Sequence, residues 1–100
     1  MKLKDIAHAR AGDKGNRCNI CVVPYDPAHY PLLVERLTPE RVGKFFQEIC
    51  KGEVRRYAVE SVHSLNFVLE EALGGGVTRS LALDKHGKSL GMALLEMELD

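Results

Sequence analysis

The sequence predicts an α+β fold: a two-layer sandwich in which a mixed, roughly five-stranded sheet carries helices on one face. Three observations predict it. Stretches of alternating or continuous apolar character and stretches of helical period follow one another as strand, strand, helix, strand, helix, strand, strand. The short connections at the two ends favour antiparallel hairpins, whereas each strand–helix–strand passage favours a right-handed crossover and parallel pairing. A chain of 100 residues, 45% hydrophobic and 28% charged, fits one domain over residues 1–100 with a core large enough to fold without staples.

The elements follow in order. Residues 3–10 read as a first strand, with Lys4, Ile6, His8 and Arg10 on one face and Asp5, Ala7 and Ala9 on the other. A turn from Gly12 to Gly15 comes next, and Cys18 to Val23 form a second strand that Pro24 ends. Asp26 as N-cap and Pro27 at the first helical position start a helix toward Arg36, in which Pro31 limits the first piece. Thr38-Pro39-Glu40 repeats the start signal. Val42, Phe45, Phe46 and Ile49 then stand at i, i+3, i+4 and i+7, the stripe of an amphipathic helix to about Cys50. Glu53 to Glu60 read as a third strand. Ser61 or Ser64 caps a further helix with Leu65, Val68, Leu69 and Ala72 as its apolar stripe and Gly74 at its C′ position. Val77 to Asp84 and Lys88 to Leu99 form a closing hairpin, with a bulge where the apolar phase slips between Leu94 and Leu95.

Composition excludes several function classes. Fourteen basic residues balance fourteen acidic ones, so the electrostatic footprint of a nucleic-acid binder or a membrane-surface protein is missing. No apolar run approaches the ~20 residues that span a bilayer, and no apolar segment follows the start as in a signal peptide. Three cysteines, an odd number, argue against a disulfide framework and for the reducing cytoplasm. Cys18 and Cys21 are three apart on a strand, so their thiols diverge, and no second Cys or His pair stands at zinc spacing. No cofactor or metal is expected.

The densest polar stretch is His8-Ala9-Arg10-Ala11-Gly12-Asp13-Lys14-Gly15-Asn16. His8 and Arg10 point the same way at a strand end, Arg10 suited to bidentate bonds with a carboxylate or phosphate and His8 to proton transfer. Asp13-Lys14-Gly15-Asn16 resembles an anion cradle in composition, yet it lacks the phosphate-loop spacing and precedes a strand. On spacing alone a plain hairpin turn, with Asp13 and Asn16 bonding their own backbone, is the better account. Gly74-Gly75-Gly76-Val77-Thr78-Arg79-Ser80 is a second glycine-rich segment, either a site of close backbone approach to a ligand or a flexible joint. Asn66 is a polar residue in an otherwise apolar run. No nucleophile motif and no paired-carboxylate signature occurs, so whether the chain is an enzyme stays open.

His8-x-Arg10-x-Gly12-Asp13-Lys14-Gly15-Asn16 followed by Asn19 resembles the ferredoxin-like domain of the AtuA (acyclic terpene utilisation) family. Leu37-Thr38-x-Glu40-Arg41-Val42, Leu65-Asn66-Phe67 and Ala72-Leu73-Gly74-Gly75-Gly76-Val77-Thr78-Arg79-Ser80-Leu81 resemble it in the same order, so the likeness covers nearly the whole chain. The resemblance implies a ferredoxin-like fold in a small stand-alone chain completed by a large AtuA-type protein, and a place in the catabolism of acyl-CoA-type intermediates. It marks His8, Arg10, Asp13, Lys14, Asn16, Asn19, Asn66, Gly74, Gly75, Gly76, Thr78, Arg79 and Ser80 as motif positions.

The leading expectation is therefore an accessory or subunit domain that helps bind a carboxylate or acyl-CoA-like ligand. In it His8 and Asp13 are the acid–base candidates, and Arg10, Lys14 and Arg79 supply positive charge. Asn16, Asn19, Asn66, Gly75, Gly76, Thr78 and Ser80 are further ligand contacts. Two alternatives stand beside it. One is a self-contained homo-oligomeric lyase or isomerase using His8, Asp13 and Arg79, and the other is a purely structural dimerisation domain.

Overall fold

The computed structural model describes residues 1–14, 17–47, 50, 52–71 and 89–99. Its centre is a four-stranded antiparallel sheet in the order β1-β2-β4-β3, with β1 Ala7–Lys14, β2 Arg17–Pro24, β3 Val54–Val59 and β4 Ser64–Leu69. Among the described residues three short α-helices accompany it: α1 Tyr30–Arg36, α2 Pro39–Phe45 and α3 Ser89–Leu94. The α+β class stands. Two hairpins, β1–β2 and β3–β4, join through the antiparallel β2–β4 pair. The expectation of a mixed sheet is corrected: every described strand pair is antiparallel. A fifth strand expected at residues 77–84 lies outside the described residues.

The first strand starts later and runs further than its residues suggested. Leu3–Asp5 make a 3-10 turn instead, closed by the Asp5 carboxylate accepting from the Lys2 backbone N–H at 2.9 Å. Turning the chain there lets both Leu3 and Ile6 be buried, which a straight strand, alternating its faces, does not allow. At the other end Gly12, Asp13 and Lys14 are strand residues paired with Asn19, Cys18 and Arg17, so the expected turn shrinks to the connection after Lys14.

Asp26 caps as expected, its carboxylate accepting from Ala28 N–H at 2.9 Å, but it caps a 3-10 turn over Pro27–His29. The α-helix begins at Tyr30, with Pro31 in its first turn where a missing N–H costs nothing. Thr38 caps α2 through its hydroxyl, which accepts from Arg41 N–H at 3.2 Å. That helix ends at Phe45, short of Cys50. Val42 and Phe46 are buried, whereas Phe45 is 42% exposed and lies edge-on to Phe46.

Two elements change type. The helix expected from Ser61 or Ser64 is strand β4: Leu65, Phe67 and Leu69 are fully buried while Asn66 and Val68 between them are half-buried, a period of two. Conversely the strand expected over 88–99 contains α3, whose Leu90 and Leu94 are buried at i and i+4 and are followed by buried Met97. The phase slip read as a bulge is the helical period itself. Only an isolated bridge, Lys2 with Glu98, remains of extended pairing there.

Among the described residues the core is one cluster. Ala7 from β1, Cys18, Ile20 and Val22 from β2, and Leu65, Phe67 and Leu69 from β4 meet Leu33, Leu37 and Val42 of the α1–α2 region and Leu90, Leu94, Met97 and Leu99 of the C-terminal segment. Gly91 brings α3 against β1, since a Cβ there would stand 3.3 Å from that of Ala11. Arg56 binds β3 to the end of α1 by donating to the carbonyls of Val34 and Leu37 at 2.8 and 2.9 Å. Arg41 donates to the carbonyls of Arg36, Glu98 and Leu99, and so ties α2 to the C-terminal segment.

Candidate functional site

Strand parity decides where the polar residues go. In β1 the odd positions Ala7, Ala9 and Ala11 pack on the core, so His8, Arg10 and Gly12 belong to the other face. In β2 the buried residues are Cys18, Ile20 and Val22, which leaves Arg17, Asn19, Cys21 and Val23 on that same face. The register then builds cross-strand rows. Arg10 is opposite Cys21, Cys21 is opposite Asn66, and Asn66 is opposite Tyr57. In the next row Gly12, Asn19, Val68 and Arg55 follow one another across the four strands.

His8, Arg10, Asn19 and Asn66 are thereby gathered on one sheet face from three strands. Asn66 reaches it as a strand residue. Arg10 and Asn19 are exposed, and His8 and Asn66 are half-buried. The His8 ring lies 5.5 Å from that of Tyr25, which follows the end of β2. Successive same-face residues of a strand stand roughly 7 Å apart, so His8 and Arg10 can address one anionic group from neighbouring positions. Gly12 leaves bare backbone beside them, with no atom within 4 Å of where its Cβ would be.

Asp13 occupies the other parity, at the register position opposite Cys18, and Lys14 pairs with Arg17. Gly15, Asn16 and the whole segment Gly74 to Ser80, with Gly75, Gly76, Thr78 and Arg79, lie outside the described residues.

Several residues of this face carry no signal in the linear sequence. Tyr57 is 49% exposed and Val59 40% exposed on β3. Arg17 and Arg55 both hold the Glu70 carboxylate, Arg17 Nε donating at 3.2 Å. The Arg17 guanidinium first, and Arg55 with it, keep the Glu70 carboxyl below the usual carboxylate range, and Glu70 in turn raises Arg55. Strand order alone brings Arg55 into the row of Asn19 and Glu70 within reach of Arg17, and strand order was not readable from spacing.

The thiols take no part as a pair. Cys18 is buried in the core and Cys21 is half-buried on the opposite face. Cys50 is buried, donates to the Glu70 carbonyl at 3.3 Å, and burial pushes its thiol up. Among the described residues no group of three or more His, Cys, Asp or Glu side chains could hold a metal ion. No described helix is long and apolar enough to cross a membrane. A shallow groove of about 270 Å³ lined by Arg41, Lys44, Phe45, Met97 and Glu98 shares no residue with the polar sheet face.

A family model described as the AtuA ferredoxin-like domain matches residues 1–100. No curated protein and no solved structure matches the chain.

Proposed function

Because the chain belongs to the AtuA ferredoxin-like domain family, we propose that it works as an accessory or subunit domain of a larger AtuA-type protein, completing a site that the larger protein mainly builds. In this reading the domain helps hold an anionic ligand, a carboxylate or acyl-CoA-like group, where its sheet face meets the larger protein. Arg10, Lys14 and Arg79 supply positive charge. Asn19 and Asn66 offer amide hydrogen bonds, and His8 is placed for proton transfer.

The observation that supports the reading is the gathering of His8, Arg10, Asn19 and Asn66 around Cys21 on one sheet face, with no metal cluster among the described residues. Such a face can recognise an anion through a guanidinium and two amides, which is what an accessory role asks of it.

The test is reconstitution with the large AtuA-type protein of the same organism. Turnover or ligand binding that requires both chains supports the reading. Arg10→Ala should then weaken ligand binding by about tenfold, the worth of one charge-assisted contact, with the thermal midpoint unchanged. Full activity of the large protein without this chain would defeat it.

A further inference from the structure

The sheet face is not uniformly polar. Tyr57 and Val59 are large exposed side chains on it, half-buried Val23 stands opposite His8 and half-buried Val68 between Asn19 and Arg55, and exposed Tyr25 flanks His8. Arginine and tyrosine set among aliphatic residues on a flat surface are the composition of protein–protein anchor sites.

The charges on this face say what it fits. Arg17 and Arg55 share the Glu70 carboxylate, and Glu53 leans on Arg55 at 4.0 Å. Arg10 has no carboxylate partner among the described residues. Covering an unpaired guanidinium with an apolar surface leaves a buried charge uncompensated, which is strongly unfavourable. Whatever covers the face therefore brings an anion to Arg10. A second copy of the same face does not, since its own Glu70 is held between two arginines and it brings another unpaired Arg10.

We propose that this face, centred on the Arg10–Cys21–Asn66–Tyr57 row, docks on a surface of the larger protein that is apolar and presents one Asp or Glu carboxylate to Arg10. The proposal rests on the accessory-domain reading above and narrows it: Arg10 acts on the ligand by holding the two chains together, so the loss of ligand binding expected of Arg10→Ala comes with loss of the complex, and Lys14 and Arg79 are left as the ligand's direct cations. Tyr57 is the apolar anchor at the far end of the row, and Cys21 lies beneath the contact.

The experiment uses the full chain and the large AtuA-type protein of the same organism. Affinity is measured for the native chain, Arg10→Glu, Tyr57→Ser and the distant control Lys44→Glu, with thermal unfolding run on each. In parallel a maleimide reports Cys21, the half-buried thiol, against buried Cys18 and Cys50. The expected result is at least tenfold weaker binding for Arg10→Glu, several-fold for Tyr57→Ser and no change for Lys44→Glu, on the scale of interface anchor residues. Cys21 alkylation should slow on complex formation.

Unchanged affinity for Arg10→Glu with Cys21 still reactive in the complex overturns the docking face and leaves the accessory reading intact. Protection of Cys21 in the isolated chain by millimolar butyrate, with the complex surviving Arg10→Glu, assigns the anion to a small carboxylate and likewise overturns it. A homodimer dispersed by Tyr57→Ser makes the occupant a second copy and overturns it. Absence of any complex with the native chain defeats the accessory reading itself.

Discussion

Tyr30 shows how one side chain fastens two layers. Its ring is buried, its hydroxyl donates to Glu60 Oε2 at 3.2 Å and lies 3.5 Å from the Ser64 carbonyl, and His63 packs edge-on against it. The start of α1 is thus held to the turn between β3 and β4. Burial first, and the Glu60 hydrogen bond with it, push the Tyr30 phenol up, so it stays protonated and a donor at neutral pH. Tyr30→Phe should cost about 1 kcal/mol in urea unfolding, the net worth of one such hydrogen bond, and leave binding at the sheet face unchanged. At this scale the sequence was informative. The divergence of Cys18 and Cys21 and the shared face of His8 and Arg10 follow from period two alone, and the structure has both. What no residue count could show is that Asn66 stands two strands from Arg10, because that distance is set by which strands pair.

At the scale of elements, the two changes of type have one physical origin. Leu65, Val68, Leu69 and Ala72 fit a helical stripe, and the same run fits a strand through Leu65, Phe67 and Leu69. Phe67 falls off the helical stripe, yet it is fully buried, so it was the residue that discriminated. Short apolar runs satisfy both periods, and pairing with β2 and β3 settled the matter. In the C-terminal segment Leu90, Leu94 and Met97 at i, i+4 and i+7 already spelled a helix. The strand reading treated that period as a defect in alternation.

Two glycines test the hairpins in opposite directions. A Cβ at Gly52 would meet the Cβ and the carbonyl oxygen of Glu70, each at 2.8 Å, at the point where Gly52 N–H donates to that same carbonyl. Gly52→Ala should therefore destabilise by about 1–3 kcal/mol, because backbone must shift. Gly12→Ala meets open space in a strand and should be neutral or stabilising by up to about 1 kcal/mol. Chemical denaturation of the pair decides it, and equal losses would refute the pairing of Gly12 with Asn19 in the β1–β2 hairpin.

Across the whole molecule, charge is balanced in number yet arranged in clusters. Glu96 receives Lys2 and Lys4 at 2.9 and 3.0 Å, and Glu70 receives Arg17 and Arg55. Lys2 first and then Lys4 lower Glu96, as Arg17 and Arg55 lower Glu70. Both carboxyls thus titrate below their unfolded value of about 4.3. The stability they contribute is complete above that value and is lost as pH falls through the lower folded values. Thermal midpoints should drop as pH falls from about 5 toward about 3, and drop less steeply in Glu70→Gln. High salt should mute the effect, since these groups are reached by solvent. The α+β class and the single core were legible at this scale because they follow from composition and alternation. The sheet's antiparallel pairing was not, because a connection long enough for a parallel crossover also serves an antiparallel return.

The N–H of Leu99 donates to the carbonyl of Met1 at 2.9 Å, that of Leu3 to Met97, and that of Lys4 to Leu95, with Met1 and Lys2 salt-bridged to Glu98 and Glu96. Residues 1–4 and 95–99 therefore run side by side, stitched beside Glu96. Residue 99 can be spliced to residue 1 through a few glycines and the chain cut instead in the exposed Asp26–Ala28 turn, and the rearranged gene product should reach the same sheet, with the stitched seam now an interior loop.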